Sequence, residues 1–141
     1  MRHTFSPRSY RNLLGVRPEL IAVATLALAK TDIDFVVTEG LRSLQRQREL
    51  DKEGARRTLH ACHLTGHAID VAALSGGKII WDWPAFERLA VAFKAAAADL
   101  GIALVWGGDW QGFRDGPHFE LSRKVYPDTL KAQPSAGPAA A

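Results

Sequence analysis

The chain has 141 residues, a length that predicts one domain able to bury about two-thirds of its unfolded surface. It is 47% hydrophobic and 23% charged, as ordinary soluble proteins are. A chain of this length needs no metal to fold, so any metal is expected to be catalytic rather than structural. The single cysteine, Cys62, excludes an intramolecular disulfide and a four-cysteine zinc site. A formal net charge of +3 without a long Lys/Arg run argues against a nucleic-acid-binding protein.

The N-terminal part predicts a surface segment followed by a buried helix. Basic residues are scattered over positions 2–17, which we expect to be solvated surface. Pro18 suits the first turn of a helix that reaches Lys30. Its run LIAVATLALA is about half the length needed to cross a bilayer and lacks the layout of a signal peptide. We therefore expect a protein made in the cytoplasm, without stable membrane insertion.

The next residues predict a strand, a helix and a hairpin. DFVVTEG is typical of a strand with Phe35 and Val37 on one face and Val36 and Thr38 on the other. Helical spacing of leucines predicts a helix over residues 41–54. AIDVAAL alternates as a strand does, and the SGG that follows predicts a hairpin turn into KIIW.

The last part predicts a long helix and two short strands. Asp82 is placed to cap a helix with Pro84 in its first turn, and Gly101 ends that helix. IALVW and PHFEL are predicted strands, joined by a glycine-rich loop. We expect one domain over residues 1–130 and a disordered tail over residues 131–141. The predicted fold is α+β, with a small, mostly antiparallel sheet flanked by helices.

The stretch HACHLTGHAID concentrates metal-ligand side chains. His63 and His67 are four residues apart, as in the HExxH helix of zinc proteases. Leu64, however, stands where that motif needs glutamate, and Gly66 disfavours a helix. The pattern therefore predicts a loop, a turn at Gly66 and then a strand.

Strand alternation gives Asp70 a face of its own. Ile69 and Val71 belong in the core, so Asp70 lies on the opposite face among alanines, which leave room for an ion and a substrate. His63, which arrives from the preceding turn, is expected to reach the same point.

A catalytic zinc takes three protein ligands and keeps an open position. DGPHFEL supplies the third, because its hydrophobic residues point to the core and His118 and Glu120 share the other face. The predicted metal set is His63, Asp70 and His118, with water in the fourth place. Such nitrogen and oxygen ligands suit zinc best, although manganese or cobalt can substitute in vitro.

Hydrolysis of an amide at such a metal needs a base that moves the proton of the water. Asp115, three residues before His118, is the predicted base. Glu120 is the alternative, but its two-residue offset along the strand places it roughly 7 Å further on. We therefore predict that Glu120 contacts a metal ligand rather than the attacking water. Further candidates for the surroundings of the metal or the substrate groove are His67, Trp106 and Trp110.

HLTGHAID with a distant DGPH resembles the zinc peptidases grouped with D-alanyl-D-alanine carboxypeptidases and the sonic hedgehog fold. EGLRSLQRQREL, WDWP and WGGDWQGFRDGPHFEL are most similar to phage endolysins that are L-alanyl-D-glutamate endopeptidases. The resemblance runs over about residues 36–126. It implies that His63, Asp70 and His118 bind zinc and that Asp115 is the catalytic base.

The resemblance also implies that Arg42, in EGLRS, holds a substrate carboxylate or the oxyanion. The implied function is cleavage of the L-Ala–D-Glu bond of bacterial peptidoglycan during host lysis, by a monomer that reaches the wall once another protein has opened the membrane. A D-alanyl-D-alanine carboxypeptidase and a non-catalytic, zinc-containing wall-binding module are the alternatives. One departure is Ala61, which stands where the family has a serine.

Overall fold

The computed structural model describes residues 3–41, 65–112 and 114–127. Its helices and strands, numbered along the described chain, are α1 (Pro7–Leu13), α2 (Pro18–Lys30), β1 (Asp34–Glu39), β2 (Ala68–Ser75), β3 (Lys78–Ile80), α3 (Trp83–Leu100), β4 (Leu104–Trp106), a 3-10 turn (Gly107–Asp109) and β5 (His118–Leu121). The predicted α+β class is confirmed.

The described strands form one antiparallel sheet, in which four of them lie in the order β1-β2-β5-β4. The strand β3 pairs with the C-terminal end of β2 to form the predicted hairpin. The pairing of β2 with β5 places Asp70 directly opposite His118. Two segments that are far apart in sequence thereby become neighbours at the centre of the sheet.

One face of the sheet packs against the hydrophobic core, and the other carries the predicted metal ligands Asp70 and His118. Ile69 and Val71 of β2 and Phe119 and Leu121 of β5 are buried in the hydrophobic core. Phe93 of α3 stacks on Phe119 with ring centroids 4.1 Å apart, which fixes the helix against this face. The predicted alternation is confirmed in both strands, and it leaves their even-numbered residues on the opposite face.

The predicted ends of the long helix and of the hairpin are also confirmed. Asp82 caps α3 by accepting a hydrogen bond from the Ala85 amide at 3.0 Å, and Gly101 ends it in a left-handed conformation. Gly76 and Gly77 have φ angles of 58° and 80°, as a tight turn between β2 and β3 requires.

The predicted solvated surface of the N-terminal segment is found at Arg8 and Arg11, which are exposed, but the same segment also forms α1, which packs against β1. The Ser9 hydroxyl accepts a hydrogen bond from the Val37 amide at 2.9 Å, and the Asn12 side chain donates to the Val37 carbonyl at 2.8 Å. Ser6 caps α1 and Pro7 occupies its first position, a combination that favours a helix start. That signal was present in the sequence.

Several predicted features lie outside the described residues. They are the predicted helix over residues 41–54 beyond its first residue, the histidine-rich loop up to residue 64, and the tail over residues 131–141. Among the helices that the structure does describe, none has the length and apolar character needed to cross a membrane.

The predicted turn before β2 is confirmed at Gly66, which has a φ of 78°. Its carbonyl accepts a hydrogen bond from the Arg17 amide at 2.9 Å. A Cβ at this position would lie 2.5 Å from the Gly15 carbonyl oxygen. Both the backbone conformation and the close approach therefore require glycine, and they fix how the chain enters β2.

Replacing Gly66 with alanine is expected to lower the free energy of unfolding by about 2 kcal/mol or more, because strain and a collision act together. Gly77→Ala is the matched control, since its φ of 80° is similar but nothing lies within 4 Å of its Cβ. Only the conformational cost, about 1 kcal/mol, applies there. Urea denaturation followed by circular dichroism measures both losses, and equal losses would contradict the steric contribution.

Candidate active site

Asp70, Asp115 and His118 come together beside the paired ends of β2 and β5. Each offers one ligand atom, and these atoms all lie within 4.8 Å of one another. The Asp70 Oδ1 atom is 3.1 Å from Nδ1 of His118. A compact set of two carboxylates and an imidazole, two of them fixed by strand pairing, fits zinc or another divalent transition metal.

Asp115 reaches this cluster from the turn before β5. Its amide donates a hydrogen bond to the Gly107 carbonyl at 3.0 Å, and its own carbonyl accepts from the His118 amide at 3.3 Å. A Cβ on Gly107 would collide with the Asp115 carbonyl oxygen and press on the Cβ of His118. Sequence reasoning missed Gly107, because no local pattern reports such a close approach between two backbone segments.

The imidazole of His118 has no exposed surface, and both of its nitrogens face carboxylates. Nδ1 lies 3.1 Å from Asp70, and Nε2 lies 2.7 Å from Oε1 of Glu120. Burial opposes the charged imidazolium, but the hydrogen bonds and negative charges of Asp70 and Glu120 outweigh it and raise the pKa of His118 to about 9. In the metal-free protein this cation offsets the repulsion between the surrounding acids.

A β-bulge brings a further acidic residue to the same face. Val37 pairs with Val71, but Glu39 rather than Thr38 lies opposite Asp70. Thr38 is the extra residue, and its hydroxyl donates to the Asp70 carbonyl at 3.2 Å. Because residues paired across strands share a face, the bulge places Glu39 beside Asp70. Simple alternation puts Thr38 there, which is why sequence reasoning missed Glu39.

The two tryptophans that flank GGD occupy different places. Trp106 is 7% exposed, donates from its indole nitrogen to the Gly116 carbonyl at 2.7 Å, and stacks with Phe119. It therefore lies in the core, and its expected place in an exposed groove is corrected. The half-buried ring of Trp110 has its centroid 5.2 Å from that of His118, so Trp110 forms a wall of the site.

His67 belongs to the turn that precedes β2. Its side chain is fully buried, and Nδ1 lies 2.6 Å from the Thr65 hydroxyl. Its carbonyl accepts a hydrogen bond from the Leu121 amide at 2.9 Å. These contacts bury His67 in the turn, so it does not line an open groove, and its predicted place in the surroundings of the metal stays a prediction. His63 and Arg42 lie outside the described residues, so their roles stay predictions.

Comparison with known proteins agrees with this geometry. Residues 1–127 match the model of a family described as phage L-alanyl-D-glutamate peptidase. The chain belongs to this family. It is 35% identical over 130 residues to the L-alanyl-D-glutamate peptidase of Escherichia phage T5, an alignment that covers 89% of this chain and 94% of that protein.

Two further relatives extend the comparison. The L-alanyl-D-glutamate peptidase of Listeria phage A118 is 35% identical over 95 residues, which cover 67% of this chain and 32% of that protein. The crystal structure of the Serratia marcescens L-Ala D-Glu endopeptidase ChiX superposes with a TM-score of 0.82 at 46% identity, over 90% of this chain and 94% of that one. The resemblance noted in the sequence and the peptidase class are confirmed.

The raised pKa of His118 predicts how the stability of the metal-free protein depends on pH. The folded state holds the proton of His118 more tightly than the unfolded state does. The contribution of this group to the free energy of unfolding is therefore complete below the unfolded pKa near 6.5 and is lost as the pH rises through about 9. Urea denaturation of chelator-treated protein across this range measures the decline. His118→Asn should remove most of it, and a wild-type stability that rises over the same range would contradict the assignment.

Proposed function

We propose that this protein is a zinc endopeptidase that cleaves the L-Ala–D-Glu bond in the stem peptide of bacterial peptidoglycan. The observation that carries the proposal is the group formed by Asp70, Asp115 and His118, whose ligand atoms lie within 4.8 Å of one another. The identity of the cleaved bond is inferred from the family, because the relatives are named for the bond between L-alanine and D-glutamate.

The zinc would be held by Asp70 and His118, with His63 as the third protein ligand. Two of these residues come from paired strands, whose backbone hydrogen bonds fix their separation. The bound metal supplies a Lewis acid that polarises the scissile carbonyl and lowers the pKa of water toward neutrality. A three-ligand set of this kind leaves the position that catalysis needs.

Asp115 is the base in this mechanism. A turn rather than a strand carries it, yet its carboxylate lies beside the ligand atoms of Asp70 and His118. It takes a proton from the attacking water and returns it to the leaving amine nitrogen. A direct role as a metal ligand fits the same distances, and the zinc content of an Asp115 variant separates the two roles.

Two further residues complete the proposed site. Trp110, against the imidazole of His118, limits access of bulk water and provides an apolar wall for the peptide. Arg42 offsets negative charge on the D-glutamate side of the substrate or on the tetrahedral oxyanion. Both act on the substrate rather than on the metal.

The biological role that we propose is lysis of a bacterial host. Relatives from two phages support it. The enzyme would be made in the host cytoplasm and would act on peptidoglycan, as a monomer, once another protein has permeabilised the membrane.

Asp115→Ala is expected to lower turnover by roughly 10²-fold or more, because the attacking water loses the carboxylate that takes its proton, while about one zinc per chain remains. Asp109→Ala is the matched control, since this nearby acid pairs with Lys94 at 2.8 Å and lies outside the three-residue group. Clearing of outer-membrane-stripped sacculi and metal analysis give the two readouts. Loss of zinc would make Asp115 a ligand, and unchanged clearing would exclude it as the base.

Removal of zinc by a chelator should abolish clearing of sacculi, and added zinc should restore it. Analysis of new amino termini then identifies the bond, and termini on D-glutamate are expected. Release of free D-alanine would instead show a D-alanyl-D-alanine carboxypeptidase. Stoichiometric zinc with wall binding but no cleavage would show a non-catalytic module.

A further inference from the structure

Glu120 contacts the imidazole of His118 at the nitrogen opposite the one that faces Asp70. Its Oε1 atom is 2.7 Å from Nε2, whereas Nδ1 faces Asp70 at 3.1 Å. The side chain of Glu120 is 12% exposed and that of His118 is fully buried, so water competes little for this hydrogen bond. The two nitrogens of one ring are thus held by carboxylates on opposite sides.

The sheet builds this contact from neighbouring positions of one strand. Glu120 and His118 are two residues apart on β5 and therefore share a face. Glu120 lies opposite Ala68 on β2 and Val105 on β4. The small side chain of Ala68 leaves room for the carboxylate to lie along the strand and reach the imidazole.

The contact with Glu120 bears on which ring nitrogen of His118 carries the proton. A neutral imidazole carries one proton and binds a metal through its other nitrogen. Both carboxylates can only accept, but Glu120 makes the shorter contact, at 2.7 Å, and stands outside the three-residue donor group, so a neutral His118 keeps its proton on Nε2. The lone pair of Nδ1 is then directed toward Asp70. Carboxylates behind histidine ligands commonly orient the ring in this way and increase its basicity.

We propose that Glu120 is a positioning residue, whose hydrogen bond to Nε2 fixes the tautomer and ring orientation in which Nδ1 of His118 binds the metal. This inference rests on the zinc site of the proposed function. It also separates Glu120 from the base, since the compact donor group contains Asp70, Asp115 and His118 but not Glu120.

Zinc affinity, measured by competition with a chromophoric chelator, tests the role without any substrate. Glu120→Ala is expected to weaken zinc binding 10- to 100-fold, roughly the effect of losing such a partner. Glu120→Gln should weaken it less, because the amide oxygen still accepts from Nε2–H. Glu87→Ala removes an exposed glutamate on α3 and should change nothing. Far-UV circular dichroism checks that each variant is folded.

The outcomes separate the alternatives. Wild-type affinity in Glu120→Ala would overturn the proposal. Equal, large losses in Glu120→Ala and Glu120→Gln would also overturn it, because they would indicate that the carboxylate itself binds the metal. Absence of zinc binding by the wild-type protein would overturn both this proposal and the zinc site.

The tautomer can be read directly in the wild-type protein, which keeps the proposal testable even where a variant fails to fold. A long-range ¹H–¹⁵N spectrum of the zinc-loaded protein should show His118 protonated at Nε2 and metal-bound at Nδ1. A proton on Nδ1 would overturn the proposal. A protein that binds zinc in the expected tautomer but cleaves no peptidoglycan would refute the endopeptidase and leave the role of Glu120 intact.

Discussion

The pairing of β2 with β5 is the constraint on which the site depends. It places Asp70 opposite His118, although 48 residues separate them in the chain. The register is held from the other face of the sheet, where Ile69 and Phe119 are buried against the core. A slip of one residue would expose those side chains and bury the polar ones, so hydrophobic packing sets the geometry of the candidate metal site.

The buried imidazole of His118 lies between two carboxylates, so the stability of this arrangement depends on the positive charge that lies between them. The raised pKa of His118 favours the charged imidazolium, whose single positive charge offsets part of the negative charge of Asp70 and Glu120. A metal bound at Nδ1 would displace a proton from the ring, so metal binding and proton release would be linked. In the proposed site the hydrogen bond between Nε2 and Glu120 would be kept when the metal binds.

Three irregular backbone segments lie next to the residues of the candidate site. The bulge at Thr38 brings Glu39 beside Asp70, the turn at Gly66 directs the chain into β2, and Gly107 lets the turn of Asp115 lie against the sheet. The long helix and the β2–β3 hairpin, by contrast, follow regular capping and turn geometry. Bulges and close approaches of this kind re-aim side chains at a modest cost in stability, which the core offsets.

The sequence by itself determined which face the residues of β2 and β5 take, where the long helix begins and ends, and the motif that indicates the family, because periodicity and capping depend on near neighbours. It therefore placed Asp70 and His118 on the site face. Only the tertiary structure decided the contact of Glu120 with Nε2, the shift that brings in Glu39, and the burial of Trp106. These depend on register and close approach between distant segments, which no local pattern encodes.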